Sequence, residues 1–296
     1  MNPTNRRRFL AAVGASGLAA TGVSQLTQTV AASDDQRPDF VPPKHDLHTH
    51  TTYSDGAHDL DLHIYLAQAS GLDAVAVTDH CLPERYLGES EETFDAYVKH
   101  IERLRDAQDD LLILKGCEAT AVDATGTVSL TPQQAERLDW VLCDLGGYSD
   151  GTLRNTPTSK KTYIENVIWT YMGICDVPYV DAIAHPFNTG NTSPAALPDD
   201  FPRHMLRELA DKMRETNKAF DIINGHVYWF LKSGVSARVA ADQYVELVRV
   251  FAEAGVRFQV SSDDHRSGLG NIAWPCDVLR RAGVRTEQLV TPQYKV

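Results

Sequence analysis

Short apolar runs alternate with longer segments of helical periodicity along most of the chain. Seven runs have the length and composition of buried strands, and they cover residues 46–50, 74–78, 111–116, 140–145, 180–184, 220–223 and 258–261. Between them, apolar residues recur at helical spacing, as in Phe94, Tyr97, Val98, Ile101 and Leu104. Strands that alternate with helices predict βα units and a parallel sheet.

Residues that can bind metal ions follow almost every predicted strand. In chain order they are His48 and His50, Asp79 and His80, Glu118, Asp144, His185, Asn224 and His226, and Asp263, Asp264 and His265. In a (β/α) barrel the carboxyl ends of the parallel strands converge on one face, where active sites are built. The pattern therefore predicts a single ligand cluster at one end of a barrel.

The first predicted strand carries the densest group of these residues, Asp46-Leu-His48-Thr-His50. Alternation along a strand directs the three polar side chains to one side, so two imidazoles can share a cation while Asp46 orients one ring. Five further motifs follow it: Ser54-Asp55-Gly56, Thr78-Asp79-His80, Gly116-Cys117-Glu118, Ala184-His185-Pro186 and Ser262-Asp263-Asp264-His265.

This ordered set of motifs, from about Asp46 to His265, resembles the polymerase and histidinol phosphatase (PHP) domain family. The resemblance implies a distorted seven-stranded, TIM-like (β/α)7 barrel with two or three divalent metal ions at the carboxyl ends of its strands. It also implies phosphoester hydrolysis with metal-bound hydroxide as the nucleophile. Mixed histidine and carboxylate ligands suit zinc, manganese or iron, and their spacing does not choose among these metals.

Carried over residue by residue, the resemblance implies three metal sites. The first consists of His48, His50, Glu118 and Asp263. Glu118 bridges to a second site that includes His185, and the third consists of Asp55, His80 and His265. Glu118 and Asp263 are thereby expected to take part in catalysis.

Two positions depart from the family pattern. Gly146 stands where the family has a histidine after its fourth strand, and Asp144, on the same strand face, is a possible substitute ligand. Without that substitution the second site is weakened or filled by water. Ile222 stands where an acidic residue is common in the sixth strand. His226 is a possible compensating ligand, although a lone histidine is equally compatible with solvent or with a core position.

Cationic side chains near the ligands are candidates to bind the phosphoryl group. Arg266 directly follows the last ligand and is also a candidate catalytic residue, while Arg154, Lys160 and Lys161 lie in the long loop after the fourth strand. The two lysines are also compatible with a solvated surface. Asp79 and Asp264, beside expected ligands, are candidates to protonate the leaving group or to support those ligands.

The amino terminus reads Asn5-Arg6-Arg7-Arg8-Phe9-Leu10, followed by a small-residue, mildly apolar stretch that ends at Ala31-Ala32. This order resembles a twin-arginine export signal, and a basic amphipathic helix or a disordered arm is the alternative. We therefore expect a signal peptide at 1–32, a linker at 33–44 and a PHP-like domain at 45–296. The export machinery is an expected partner, and the expected location is periplasmic or extracellular.

Composition narrows the function further. The formal charge of the 296 residues is −12, and it becomes −15 when the three arginines of the signal are removed. Sequence-independent binding to nucleic-acid phosphates is therefore not expected. No run of 18 apolar residues occurs, which argues against a membrane span. Five scattered cysteines form no Cys-x-x-Cys pair and are expected to be buried thiols.

The leading hypothesis is an exported metal-dependent phosphoesterase that hydrolyses a small phosphomonoester or nucleotide. One alternative is a hydrolase of a non-phosphate bond on the same barrel, in which the altered second site no longer holds a phosphate-clamping ion. The other is a metal-binding protein of the cell envelope without catalysis.

Overall fold

The computed structural model describes residues 40–295, so the expected signal peptide and most of the expected linker lie outside the described residues. Within this range nine strands form: β1 (His45–Asp46), β2 (Ala74–Val77), β3 (His80–Leu82), β4 (Arg85–Tyr86), β5 (Leu112–Thr120), β6 (Trp140–Asp144), β7 (Ala182–Ile183), β8 (Ala219–Ile223) and β9 (Arg257–Ser261). Seven α-helices accompany them: α1 (Leu60–Ala69), α2 (Glu91–Asp106), α3 (Pro132–Ala135), α4 (Lys160–Cys175), α5 (Arg203–Glu215), α6 (Ala237–Glu253) and α7 (Ala273–Ala282).

Polar caps define where several helices begin. The Asp59 side chain accepts a hydrogen bond from the Leu62 amide at the start of α1, and Ser90, Ser159 and Ser236 cap α2, α4 and α6 in the same way. Such caps satisfy amides that have no partner within the helix. Asp59 therefore marks the start of α1.

Seven of the described strands follow one another in parallel, in the order β1-β2-β5-β6-β7-β8-β9. The sheet nearly closes into a barrel because the segments that extend β1 and β9 meet: the Asp263 amide donates to the His48 carbonyl at 3.0 Å, and the His50 amide donates to the Asp264 carbonyl at 2.9 Å. The expected seven-stranded barrel is confirmed. The β3-β4 hairpin, which leaves this path, was not predicted.

Alternation along the strands separates two apolar layers. Residues such as Ala76, Leu114 and Leu142 form a small cluster inside the barrel. Their sequence neighbours, such as Val75 and Ile113, join the larger core under the helices. Because alternate residues share a face, Glu118 lies on the same side of β5 as Leu114. The inner face of β5 therefore carries the apolar Leu114 within the barrel and Glu118 towards the carboxyl end of the strand.

All five cysteines are buried and free, as expected for core thiols. None of the helices among residues 40–295 is both long enough and apolar enough to cross a membrane.

Candidate metal centre

His48 and His50 lie in the segment that leaves β1, and both side chains are buried. Their Nε2 atoms face the same two carboxylates. The Nε2 atom of His48 lies 3.3 Å from Glu118 Oε2 and 3.6 Å from Asp263 Oδ1. For His50 the corresponding distances are 3.5 and 3.3 Å. Four donor atoms thus surround one point, with the spacing of ligands that share a metal ion.

Glu118 presents its second carboxylate oxygen to another histidine. Oε1 lies 3.1 Å from His185 Nε2, whereas Oε2 faces His48 and His50. The Glu118 side chain is only 1% exposed. It therefore stands between two ligand groups, as required of a bridging carboxylate.

Three more residues form the outer part of the cluster. Asp55 Oδ1 lies 3.5 Å from His80 Nε2 and 3.3 Å from His265 Nε2. His80 also approaches the bridging carboxylate, with 2.8 Å between its Nδ1 atom and Glu118 Oε2. The Asp55 side chain is 43% exposed, so this part of the cluster opens to solvent.

Asp221 on β8 fixes the orientation of His48. His48 Nδ1 lies 2.9 Å from Asp221 Oδ2, and both side chains are fully buried. A carboxylate oxygen accepts, so Nδ1 carries a proton and Nε2 is the nitrogen turned towards the other ligand residues. Gln259 and Ser261 donate to the other Asp221 oxygen, and the His185 amide lies 3.3 Å from Oδ2. One buried carboxylate thus positions two of the ligand residues.

Two of the ligand residues adopt left-handed backbone conformations that are uncommon for non-glycine residues. The φ angle is 29° at His185 and 54° at Asp263. Non-glycine residues pay an energetic cost in this region, and such residues cluster at functional sites. This backbone turns the His185 side chain towards Glu118 and the Asp263 side chain towards His48 and His50.

The polar atoms at the centre lack ordinary partners. Among the described residues, His48 Nε2, His50 Nε2, His80 Nδ1 and both oxygens of Glu118 are buried without a hydrogen bond. Buried polar groups nearly always find a partner, so a concentration of unpaired donors and acceptors needs an explanation. Divalent cations provide one, because imidazole nitrogen and carboxylate oxygen are their common ligands. The residues therefore fit divalent metal ions.

The local electrostatics agree with this assignment. Burial raises the pKa of Glu118, but the His48 and His80 rings outweigh that effect and hold it well below its usual value. Burial lowers the pKa of His50 to about 3, with a further contribution from His80, so His50 is neutral at physiological pH. An ionised carboxylate beside a neutral imidazole is the state in which both bind a metal.

A cavity of about 440 Å³ opens onto the cluster. The ligand side chains of Glu118, His185 and Asp263 form part of its wall. The rest of the wall includes uncharged side chains, among them Tyr148, Leu153, Asn188, Thr192 and Trp229. The Trp229 ring centroid lies 5.8 Å from that of His185. Space for a small molecule therefore adjoins the ligands.

Comparison with known proteins identifies the family. The sequence profile of the PHP domain matches residues 46–260. The chain belongs to the PHP domain family. Two relatives named "Probable phosphatase" are each 29% identical to it: that of Acetivibrio thermocellus over 254 residues, 81% of this chain and 91% of the relative, and that of a Thermoanaerobacter species over 252 residues, 83% and 88%.

Among solved structures, the histidinol phosphate phosphatase of Lactococcus lactis, crystallised with zinc, L-histidinol and phosphate, has a similar fold. The TM-score is 0.60 at 16% identity, over 84% of this chain and 96% of the other. At 16% identity the similarity establishes the shared barrel fold. It does not identify residues of this chain that would bind zinc, histidinol or phosphate. The PHP barrel is thus supported by both the sequence profile and the fold.

The structure corrects the expectation at the sixth strand of this PHP barrel. An acidic residue was sought at Ile222, but Asp221 holds His48, while Ile222 packs in the outer core. Strand alternation explains the difference, because Ala219 and Asp221 face the barrel interior. The role expected of Asp46, orienting a ligand ring, thus lies with Asp221. Asp46 instead accepts hydrogen bonds from the Ser262 and Gly270 amides.

At the fourth-strand position, Asp144 occupies the space beside Gly146. A Cβ atom on Gly146 would lie 2.6 Å from Asp144 Oδ2 and 2.9 Å from Thr120 Oγ1. Asp144 lines the cavity, and its Oδ1 atom is buried without a described partner. Burial, and next the charge of Glu118, raise the pKa of Asp144 to about 6. The Asp144 carboxylate therefore borders the ligand cluster, although it joins none of the described three-residue ligand groups.

Several other predicted site residues lie away from the ligands. His226 is fully buried, stacks on Tyr244 at a centroid distance of 4.1 Å and belongs to none of the described ligand groups. Asp79 accepts hydrogen bonds from Thr51 and Ser54, which anchors the loop after β1. Asp264 accepts from the Arg266 and Gly268 amides. Asp79 and Asp264 thus support the loops that carry ligands.

The expected phosphate-binding cations do not reach the cavity. Among residues 40–295, no arginine or lysine lines it. Arg266 and Arg154 are exposed, and Lys160 lies 2.5 Å from Asp200 in an ion pair. Lys161 is exposed beside Glu165. Arg266 follows the expected ligand His265 in the sequence, but its exposed side chain does not line the cavity.

Proposed function

We propose that this protein is an exported, metal-dependent phosphoesterase that hydrolyses a small phosphomonoester or nucleotide. The observation that carries the proposal is the convergence of His48, His50 and Asp263 with His185 around the two oxygens of Glu118. The PHP family and the relatives named as phosphatases support hydrolysis of phosphoric esters.

Divalent ions held by these ligands would supply Lewis acidity and lower the pKa of a bound water. The chain's own residues do the positioning. His50 presents a neutral nitrogen, Glu118 divides its two oxygens between neighbouring groups, and Asp221 holds Nδ1 of His48 so that Nε2 faces the other ligands. The ligand groups are consistent with two or three ions, and their mixed chemistry with zinc, manganese or iron.

The cavity bears on the substrate class. Its volume of about 440 Å³ suits a small molecule rather than a polymer, and Trp229 and Tyr148 offer aromatic surface to the alcohol portion. Since no arginine or lysine lines the cavity within residues 40–295, the phosphoryl group depends on the metal ions and on neutral donors. Asn188 lines the cavity, and its Nδ2, which gives one proton to the Leu145 carbonyl, has a second proton to donate, whereas its buried Oδ1 can only accept.

The test is hydrolysis of 4-nitrophenyl phosphate by the purified protein supplied with manganese or zinc. We expect turnover that disappears in His48→Ala and Asp263→Ala and persists in His204→Ala, whose histidine lies on the exposed side of α5. Unchanged turnover in both ligand variants would overturn the assignment of the ligands. Bound metal without turnover on any ester would favour the non-catalytic metal-binding protein.

The altered fourth-strand position favours testing one second function, hydrolysis of a non-phosphate bond. Position 146 has no side chain to serve as a ligand, and Asp144 borders the second site without joining a described ligand group. Turnover of a lactone or amide panel together with inactivity on phosphate esters would support this alternative. Turnover of phosphate esters alone would reject it.

Export rests on the Arg6-Arg7-Arg8-Phe9-Leu10 sequence. Residues 1–32 fused to a reporter that is active only outside the cytoplasm should direct it across the membrane. Arg6→Lys combined with Arg7→Lys should stop transport while preserving the charge, and Arg8→Lys is the matched control. Equal transport by both variants would contradict a twin-arginine signal.

A further inference from the structure

A second group of potential ligands lies beside the barrel's metal centre without sharing any residue with the ligands described above. It consists of His58, His63 and Asp264, whose ligand atoms all lie within 4.8 Å of one another. His58 precedes α1, His63 lies within α1, and Asp264 follows β9. Three separate segments of the chain therefore meet at this point.

The hydrogen bonds of His63 determine which of its nitrogens faces the group. Thr49 Oγ1 donates its single proton to the Ala76 carbonyl at 2.8 Å. The hydroxyl must therefore accept from His63 Nε2, which lies 2.9 Å away. Burial lowers the pKa of His63 to about 4, so the ring is neutral and Nδ1 keeps its lone pair. Asp221 orients His48 in a similar manner, except that the engaged nitrogen there is Nδ1 rather than Nε2.

The two buried members of the group have unused acceptors. His63 is fully buried and Asp264 is 4% exposed, yet His63 Nδ1 and Asp264 Oδ2 have no hydrogen-bond partner among the described residues. Asp264 Oδ1, by contrast, is engaged by the Arg266 and Gly268 amides, which fixes the carboxylate. Ligand atoms of the two residues lie within 4.8 Å of each other, and two acceptors cannot satisfy each other, so something positive or protic belongs between them.

We propose that His58, His63 and Asp264 bind an additional divalent cation of the zinc class, separate from the ions of the catalytic cluster. Two imidazole nitrogens and a carboxylate oxygen are typical zinc ligands, and a water completes the tetrahedron. His58 is half-buried, which gives solvent access to that position. From bond lengths of about 2.0 to 2.2 Å, zinc ligands lie roughly 3 to 4 Å apart, so small side-chain rotations close the site.

The position of this ion suggests what it does. Asp264 lies between the ligands Asp263 and His265, and His58 lies in the loop that carries Asp55. The Ala57 amide also donates to the His265 carbonyl at 2.7 Å. An ion held by His58, His63 and Asp264 ties that loop and the β9 extension to α1, and so steadies two segments of the catalytic cluster.

The test compares zinc content after chelator treatment and reloading of the full-length protein, measured by mass spectrometry of the metal. We expect His58→Gln and His63→Gln each to bind one zinc equivalent fewer than the wild type, and His204→Gln to match the wild type. His58→Gln keeps the test valid if the buried His63→Gln fails to fold. Wild-type zinc content in a folded His58→Gln protein would overturn the proposal.

Zinc-edge anomalous scattering from wild-type crystals separates this site from the catalytic one. A peak about 2.1 Å from His63 Nδ1 is expected. Peaks at the Glu118 cluster with none beside His63 would show that water fills this position, and would overturn the proposal while leaving the phosphoesterase assignment intact. Loss of the Glu118 peaks alone would instead count against the proposed function.

Discussion

Two sides of the metal centre are built in different ways. On one side, His48 and His50 meet Asp263 where the extensions of β1 and β9 join, and Asp221 fixes His48 from behind. On the other side, at the end of β6, Asp144 fills the space that a side chain at position 146 would need. The first side is a closed set of mutually oriented groups, of which His48, His50 and Asp221 are buried. The second has a single carboxylate that borders the cavity.

This contrast teaches that the two sides should tolerate change differently. A ligand held by a buried partner has one available position, so its loss disrupts the whole group. A carboxylate beside a glycine can rotate when its neighbour changes, so the fold survives while the chemistry is altered. Substitutions on both sides therefore give a graded test of this comparison.

The largest effect is expected for Glu118→Gln, which removes the charge shared by both sides. Metal ions contribute several kcal/mol of transition-state stabilisation, so we expect activity on an aryl phosphate to fall at least about a thousandfold, with loss of bound metal. Steady-state kinetics and metal analysis measure both. Glu102→Gln, at an exposed pair with Lys115, is the control. More than about a tenth of wild-type activity in Glu118→Gln would contradict the bridging role.

Asp221→Asn tests the closed side. The amide no longer enforces a proton on His48 Nδ1 by charge, and supporting residues of this kind typically contribute about 10- to 100-fold in activity or metal affinity. Metal titration followed by kinetics should show that loss, with the metal affinity reduced. Ile222→Val, one residue along β8 on the outer face, should keep wild-type affinity. Equal affinities for the two variants would remove the case for Asp221 as the orienting group.

Gly146→Ala tests the open side. The added Cβ would lie 2.6 Å from Asp144 Oδ2, so the carboxylate must move, and displacement of a positioned group by about 1 Å can reduce activity by tenfold or more. Thermal unfolding should change little because only the ends of two side chains, Asp144 and Thr120, have to give way. Gly147→Ala is the matched control, since nothing lies within 4 Å of its added Cβ. Identical kinetics in both variants would mean that Asp144 has no part in the reaction.

The smallest effect is expected for Arg266→Ala. Its side chain is exposed and does not line the cavity. Surface substitutions usually change free energies by less than about 0.5 kcal/mol, which corresponds to roughly a twofold change in kcat/KM. The same measurement on Arg154→Ala and Lys160→Ala should give similar values. A hundredfold loss in Arg266→Ala would instead restore the phosphate-binding role expected from its place in the sequence.

Much of the fold followed from local pattern. The seven predicted strands occur within one to four residues of their expected limits, because short β-branched and apolar runs separated by helical stripes have few other arrangements. The β3-β4 hairpin was missed because its strands are only three and two residues long and follow a ligand motif. Tertiary pairing with β5, rather than propensity, forms β3.

The candidate site, like the fold, was predicted only in part from the sequence. Histidines and carboxylates directly after strands converge because parallel strands end on one face, so motif position alone brought His48, Glu118, His185 and Asp263 together. Asp221 was missed, although alternation with Ala219 would have indicated its inward direction. Arg266 shows the opposite limit, since adjacency to a ligand says nothing about where a long side chain extends.

By itself, the sequence determined the order of strands and helices, the family and the residue types that gather at one end of the barrel, since these depend on periodicity and on residues adjacent in the chain. The tertiary structure alone decided which nitrogen of His48 faces the other ligands and that Asp221 binds the opposite nitrogen. It also decided that the Asp144 side chain occupies the space beside Gly146 in the cavity wall. It also brought His58, His63 and Asp264 to one point. These features depend on distances between segments far apart in the chain, which closure of the barrel fixes.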